Sequence, residues 1–171
     1  MAGIALTDAS PLIVLSRIGG LPWLKAIFGE VHVPLAVRKE VLTGKDKVGE
    51  PLIRDAIRAK ALIVLRKDWR APQFPLLGEG EAACIRAAVN LRQSGLALLL
   101  MDDRAGRATA MEHGFKVAGT AAIVALAKRQ KLIPSAADVF ERLLQMDFRL
   151  SAEVIRAALE AAGEPQGRKG A

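Results

Sequence analysis

The chain has 171 residues, 51% of them hydrophobic, which is enough for one well-packed domain and short for two. A single cysteine, Cys84, excludes an internal disulfide framework and a cysteine-based zinc cage. The formal net charge of +7 favours polyanionic partners, nucleic acid foremost, unless it is only ordinary surface lysine and arginine.

In chain order, Ile4–Thr7 reads as a short buried strand, followed by helices near Pro11–Arg17 and Pro22–Phe28. Val31–Val33 is a second strand, and Pro34 stands where a helix starts well, with Leu35–Leu42 continuing it. Pro51–Lys60 reads as a helix, Ala61–Leu65 as a strand and Lys67–Pro75 as a loop. A long helix over Glu79–Gln93 leads into Leu96–Met101, the most strand-like run in the chain. Arg104–His113 is helical, Lys116–Ala118 a short strand and Thr120–Gln130 a helix. Two helices close the domain, with Ser135-x-x-Asp138 as a capping box and Ser151 as an N-cap for the helix through Ala162. The Gly-rich, polar stretch Gly163–Ala171 reads as a disordered tail after a domain spanning 1–162. Strands that are continuously apolar and alternate with helices predict a parallel sheet covered on both faces. The expected fold is a three-layer α/β/α sandwich with added C-terminal helices.

No apolar run reaches the roughly 18 residues that a membrane span needs. The N-terminus lacks a basic region, and Asp8 interrupts it too early for a signal peptide. A cytoplasmic protein without membrane attachment is expected.

In an open parallel sheet the ligand site lies beyond the carboxyl ends of the strands. Asp8 ends the first strand, with Ser10 two residues on, and the pair Asp102-Asp103 ends the most apolar one. Glu79 and Glu81 open the helix leading into that second strand, and Glu40 lies on the helix after Val33. Each acid has a bland alternative. Asp8 and Asp102 or Asp103 can cap helices, Glu79 and Glu81 can complement a helix dipole, and Glu40 can be solvated. Together they suggest more, because clustered carboxylates repel unless a cation or protons lie between them. Hard cations such as Mg²⁺ take oxygen ligands and keep several waters, which suits water activation and in-line phosphoryl displacement. Arg104 and Arg107 follow the second acidic pair, and Arg38 and Lys39 precede Glu40. They can hold flanking phosphates or form a solvated face. Trp69 and Phe74, in a basic loop, can stack on bases or pack locally.

Competing chemistries find little. His32 and His113 have no second ligand at zinc spacing, and no phosphate-cradling glycine loop of either common type is present. Ser10 and Ser16 lack an evident histidine base, and Ser10 fits better as a hydrogen-bonding neighbour of Asp8. A receiver-like phosphotransfer domain needs its acidic pair after the first strand, whereas the pair here comes late.

The order and spacing of five segments carry a resemblance. They are Asp8-Ala-Ser-Pro-Leu-Ile13, Val33-Pro34 with Glu40-Val-Leu42, Leu77-Gly-Glu-Gly-Glu-Ala82, Leu98-Leu-Leu-Met-Asp-Asp-Arg104 and Gly119-Thr120. The chain resembles PIN-domain ribonucleases, on the branch of the VapC-like toxins of type II toxin–antitoxin pairs. The resemblance implies a parallel α/β/α sandwich that holds Mg²⁺ or Mn²⁺ on acids and cleaves RNA. It implies catalytic roles for Asp8, Glu40, Glu81 and Asp103, with Asp102 assisting or replacing Asp103 and Glu79 an alternative to Glu81. Metal ligation falls to Asp8, Glu81, Asp102 and Asp103. Ser10 fits the small hydroxyl near the first acid. A homodimer and an antitoxin partner are further implications. The same fold can also serve as a non-catalytic module that binds RNA or a protein.

Overall fold

The computed structural model describes residues 3–164. The strands are β1 (Ile4–Thr7), β2 (Glu30–Val33), β3 (Ile63–Val64), β4 (Leu96–Leu100) and β5 (Val117–Ala118). The helices are α1 (Ala9–Ile18), α2 (Leu21–Phe28), α3 (Leu35–Val41), α4 (Glu50–Arg58), α5 (Glu79–Leu91), α6 (Arg104–Glu112), α7 (Thr120–Arg129), α8 (Ala136–Gln145) and α9 (Ala152–Ala162).

The strands form one parallel sheet in the order β3-β2-β1-β4-β5. Helices cover both faces, so the expected α/β/α sandwich is the observed one. The central strands are the most apolar, because they are buried on both faces: Ala5, Leu6, Val31, Val33, Leu99 and Leu100 are each 0% exposed. Thr7 of β1 lies level with Leu100 of β4, and the ladder runs one residue further, with Asp8 N–H donating to Leu100 C=O over 2.9 Å. Asp8 and the residues after Leu100 therefore leave the sheet at the same edge, side by side.

The edge strand β3 is shorter than the apolar run Ala61–Leu65 suggests. Ala61 and Leu62 donate their N–H groups back to Ala56 C=O at the end of α4, so only Ile63 and Val64 pair fully with His32 and Val33. Gly19 ends α1 in the left-handed conformation, with φ of 76°, and the chain turns directly into α2.

The C-terminal helices belong to the fold. Ser135 and Ser151 accept from Asp138 N–H and Val154 N–H as N-caps, each at 3.1 Å. Helix α9 packs mainly on α7. The start of the supposed tail is ordered too. Gly163 caps α9 with φ of 75°, and Glu164 pairs with Lys128 at 2.9 Å while accepting from Ala136 and Ala137 N–H. Two backbone donors at the start of α8, that of buried Ala136 and that of exposed Ala137, thus gain a charged acceptor. The remainder of that stretch, 165–171, lies outside the described residues. Among the described residues no single helix is long and apolar enough to cross a membrane.

Candidate active site

Asp8 follows the central strand and is only 2% exposed. It stands at the N-cap position of α1, yet its side chain makes no capping hydrogen bond. The carboxylate is thus not consumed in holding the helix. Burial is the main reason that its pKa rises from 3.8 to about 7. The Ala9 backbone N–H pulls the other way, and Glu81, Glu40 and Asp102 push it up by repulsion.

Three other segments bring those acids to Asp8. Helix α3 buries Val37 and Val41 and carries Glu40 between them. Helix α5 crosses α3 closely, and Gly80 is the residue at the crossing. A methyl group on Gly80 would sit 2.8 Å from Glu40 Oε2 and 2.9 Å from Asp8 Oδ1. Two carboxylates therefore meet against one glycine. Burial, then the charge of Glu81, raises the Glu40 pKa as well. The Glu81 stem lies along the first turn of α6, its Cγ 3.1 Å from where a Gly106 side chain would begin.

The fourth acid comes from the exit of β4. Asp102 is gripped by Thr120 at the start of α7. The Thr120 N–H donates to Oδ1 and its hydroxyl to Oδ2, both at 2.7 Å. Thr120 is itself 0% exposed, so this grip is rigid. Gly119 leaves room for it, since a side chain there would start 2.9 Å from Asp102 Oδ1.

The two ambiguous pairs separate in the structure. Asp103 is exposed and caps α6, its Oδ1 accepting from Gly106 N–H over 2.8 Å, while Asp102 is half-buried and its charge helps to raise the Asp8 pKa. Glu79 is exposed and ion-paired with the buried Arg86, while Glu81 faces Asp8 and Glu40. The converging set is thus Asp8, Glu40, Glu81 and Asp102.

Of the remaining candidates, Ser10 is half-buried, and among the described residues it makes no hydrogen bond to Asp8. Arg107 donates from Nη1 to Met101 C=O over 2.9 Å and flanks Gly119 beside Asp102. Arg104, Arg38 and Lys39 are exposed near the cluster in sequence. Trp69 and Phe74 pack against the core, with Lys67 Nζ 5.4 Å from the Trp69 ring and Phe74 edge-on to His113 at 5.4 Å, so their apolar faces are in use. Cys84 is fully buried, one turn beyond Glu81, and donates to Thr7 C=O over 3.3 Å. Burial, then the nearby acids, holds its thiol protonated.

Sequence reasoning did not assign roles to Gly80, Gly119 or Thr120. The signal for Gly80 was available. A glycine in the first turn of a helix costs stability, so it marks a close approach.

The donor set suits a hard divalent cation. Four carboxylates converge, and among the described residues none of the four forms an ion pair with a lysine, arginine or histidine. Among the described residues no three or more His, Cys, Asp or Glu side chains stand together closely enough, as placed, to hold a metal ion. An open set of oxygens suits a hard divalent cation that keeps much of its water, rather than a structural zinc centre. Asp8, Glu40, Glu81 and Asp102 are the residues that would hold it. The bound cation would supply charge stabilisation and a more acidic water.

A PIN-domain family model matches residues 4–164. Among solved structures, the fold is similar to a PilT N-terminus domain protein from the hyperthermophilic archaeon Sulfolobus solfataricus P2. That likeness has a TM-score of 0.51 and 17% identity, and it covers 70% of this chain and 89% of the other. No curated protein matches the sequence.

Proposed function

The chain belongs to the PIN-domain family, whose members are generally nucleases that use divalent metal ions, and from this premise we propose that it is a Mg²⁺- or Mn²⁺-dependent endoribonuclease. One observation carries the proposal. The buried Asp8 carboxylate is surrounded by three further acids, and among the described residues none of the four has a cationic partner of the protein's own. Such an arrangement is costly unless a divalent cation completes it.

In this reading Asp8, Glu40, Glu81 and Asp102 hold the ion and orient water toward a phosphodiester. Thr120 and Gly80 are positioning residues, one fixing Asp102 and the other clearing space for Asp8 and Glu40. Asp103 supports the site through the cap of α6. Arg107, Arg104, Arg38 and Lys39 bind RNA phosphates, in line with the net charge of +7. The choice of RNA rests on the VapC-like pattern of segments, and so does a cytoplasmic toxin that works as a homodimer and is held in check by a cognate antitoxin.

The test uses purified protein on total RNA and on single-stranded oligonucleotides. Cleavage with Mn²⁺ or Mg²⁺, lost in EDTA and lost in Asp8→Asn, is the expected result. RNA bound tightly but never cut with either metal would instead indicate a non-catalytic module on the same fold.

A further inference from the structure

A cavity of about 490 Å³ opens beside the acids, between α7 and α9. The two larger cavities, of about 750 and 730 Å³, are lined by none of the four acids. The smaller one has Asp102 and Arg107 among its lining residues at the sheet edge, and Arg149 beyond them. Its walls include Ala122 and Ala125 of α7 and Ala157 of α9, so they are largely methyl groups.

The charges in this cavity are unbalanced. Asp102 is its one acid, held by two hydrogen bonds from Thr120, so a single carboxylate stands against two guanidiniums. Arg107 spends one donor on Met101 C=O and keeps four of the five that a guanidinium carries. Arg149 is exposed and, among the described residues, has no acidic partner. Two guanidiniums thus line a largely apolar cavity that adjoins the acid cluster through Asp102 itself. The volume falls within the roughly 300–1,000 Å³ typical of small-molecule sites.

We infer that this cavity is a nucleotide subsite, holding the base and ribose of one RNA nucleotide next to the scissile phosphate. Arg107 and Arg149 take the phosphates on either side of that nucleotide. The alanine, leucine and valine side chains of the walls carry no hydrogen-bonding groups, and the Ser151 hydroxyl is held by the α9 cap, so the walls select a base by size and shape. An apolar peptide segment would leave the cavity's excess positive charge unmatched, and a nucleotide's phosphates supply the counter-charge. The inference rests on the nuclease reading for the identity of the neighbouring chemistry.

Two variants address the cavity by different routes. Ala157→Phe fills it, and Arg149→Ala removes a cation. Arg156→Ala, on the same helix but outside the lining, is the matched charge control. Thermal melts establish that each variant is folded. Affinity for a fluorescent single-stranded RNA is measured in EDTA, and cut ends are mapped with Mn²⁺. Both cavity variants are expected to weaken binding at least about fivefold, the scale of one phosphate or base contact, and Arg156→Ala less than about twofold. Ala157→Phe is also expected to change which nucleotides flank the cuts.

The outcomes separate the two readings. A wild type that cuts RNA, with cavity variants that bind and cut it equally well, overturns the subsite and leaves the nuclease standing. A wild type that binds without cutting, with both variants weakened, keeps the subsite and overturns the nuclease. A wild type that does neither overturns both. A protein partner in this groove would appear as unchanged RNA affinity in both variants, which also overturns the subsite.

Discussion

Replacing Asp8 with asparagine should make the metal-free protein more stable, not less, at neutral and alkaline pH. The substitution keeps the side-chain volume and removes the charge, and the native Asp8 side chain gives α1 no capping bond to lose. The folded pKa of about 7 stands above the ordinary 3.8. The unfolded chain therefore releases this proton first. Ionisation then destabilises the fold progressively from about pH 4 and fully above about pH 7. Three units at about 1.4 kcal/mol each set a ceiling of about 4 kcal/mol, and relaxation around the site brings a realistic value nearer about 2. For a domain of this size that corresponds to a melting temperature higher by about 4–8 °C. Thermal melts of both proteins in EDTA from pH 4 to pH 9 measure the difference. It should widen with rising pH and close at the acid end. Saturating Mn²⁺ should invert the order, since only the wild type gains a ligand, worth about 2.7 kcal/mol at a hundred times Kd. An Asp8→Asn protein less stable than wild type at pH 8 in EDTA, by a margin independent of pH, would refute the reasoning.

Other substitutions test the remaining contacts. Gly80→Ala should raise the intrinsic propensity of α5 by about 1 kcal/mol. Its methyl nevertheless collides with Glu40 and Asp8, so Mn²⁺ affinity by calorimetry should fall about tenfold or more. Asp102→Asn should abolish cleavage with little loss of fold. Asp103→Ala should instead cost about 1 kcal/mol of stability through its cap and leave measurable activity, and equal activity losses in the two would break this assignment. Glu81→Gln should remove metal-dependent cutting. Glu79→Gln should chiefly lower the melting temperature, because it weakens the partner of buried Arg86.

Much of the architecture was legible in the residues. β1 and β4 announce themselves because central parallel strands must be apolar on both faces, and their following acids fall at the binding edge by topology alone. The length of β3 was not legible, because it depends on where α4 ends and takes back two N–H groups. The different positions of Asp102 and Asp103 had a local sign. Asp103 immediately precedes Arg104, the first residue of α6, which makes it the N-cap and leaves Asp102 to the sheet edge. Glu79 and Glu81 are two residues apart, so about 200° of helix separates them and only one can face the site. Arg86, seven residues beyond Glu79 and on its side of the helix, was the available sign of which one does not. The grip of Thr120 on Asp102 spans eighteen residues and two elements, and no spacing rule reveals it.

The strand order also fixes when the site can exist. β1 pairs with β2 on one side and with β4 on the other, so the central strand waits for a segment made after half the chain. Asp8 and Glu40 emerge early from the ribosome, but Glu81, Asp102 and the securing Thr120 emerge late. A nascent chain that ends before β4 therefore carries Asp8 and Glu40 without Asp102, and an unpaired edge on β1. The acid cluster and the grip that holds Asp102 are therefore complete only once the chain has been made as far as Thr120.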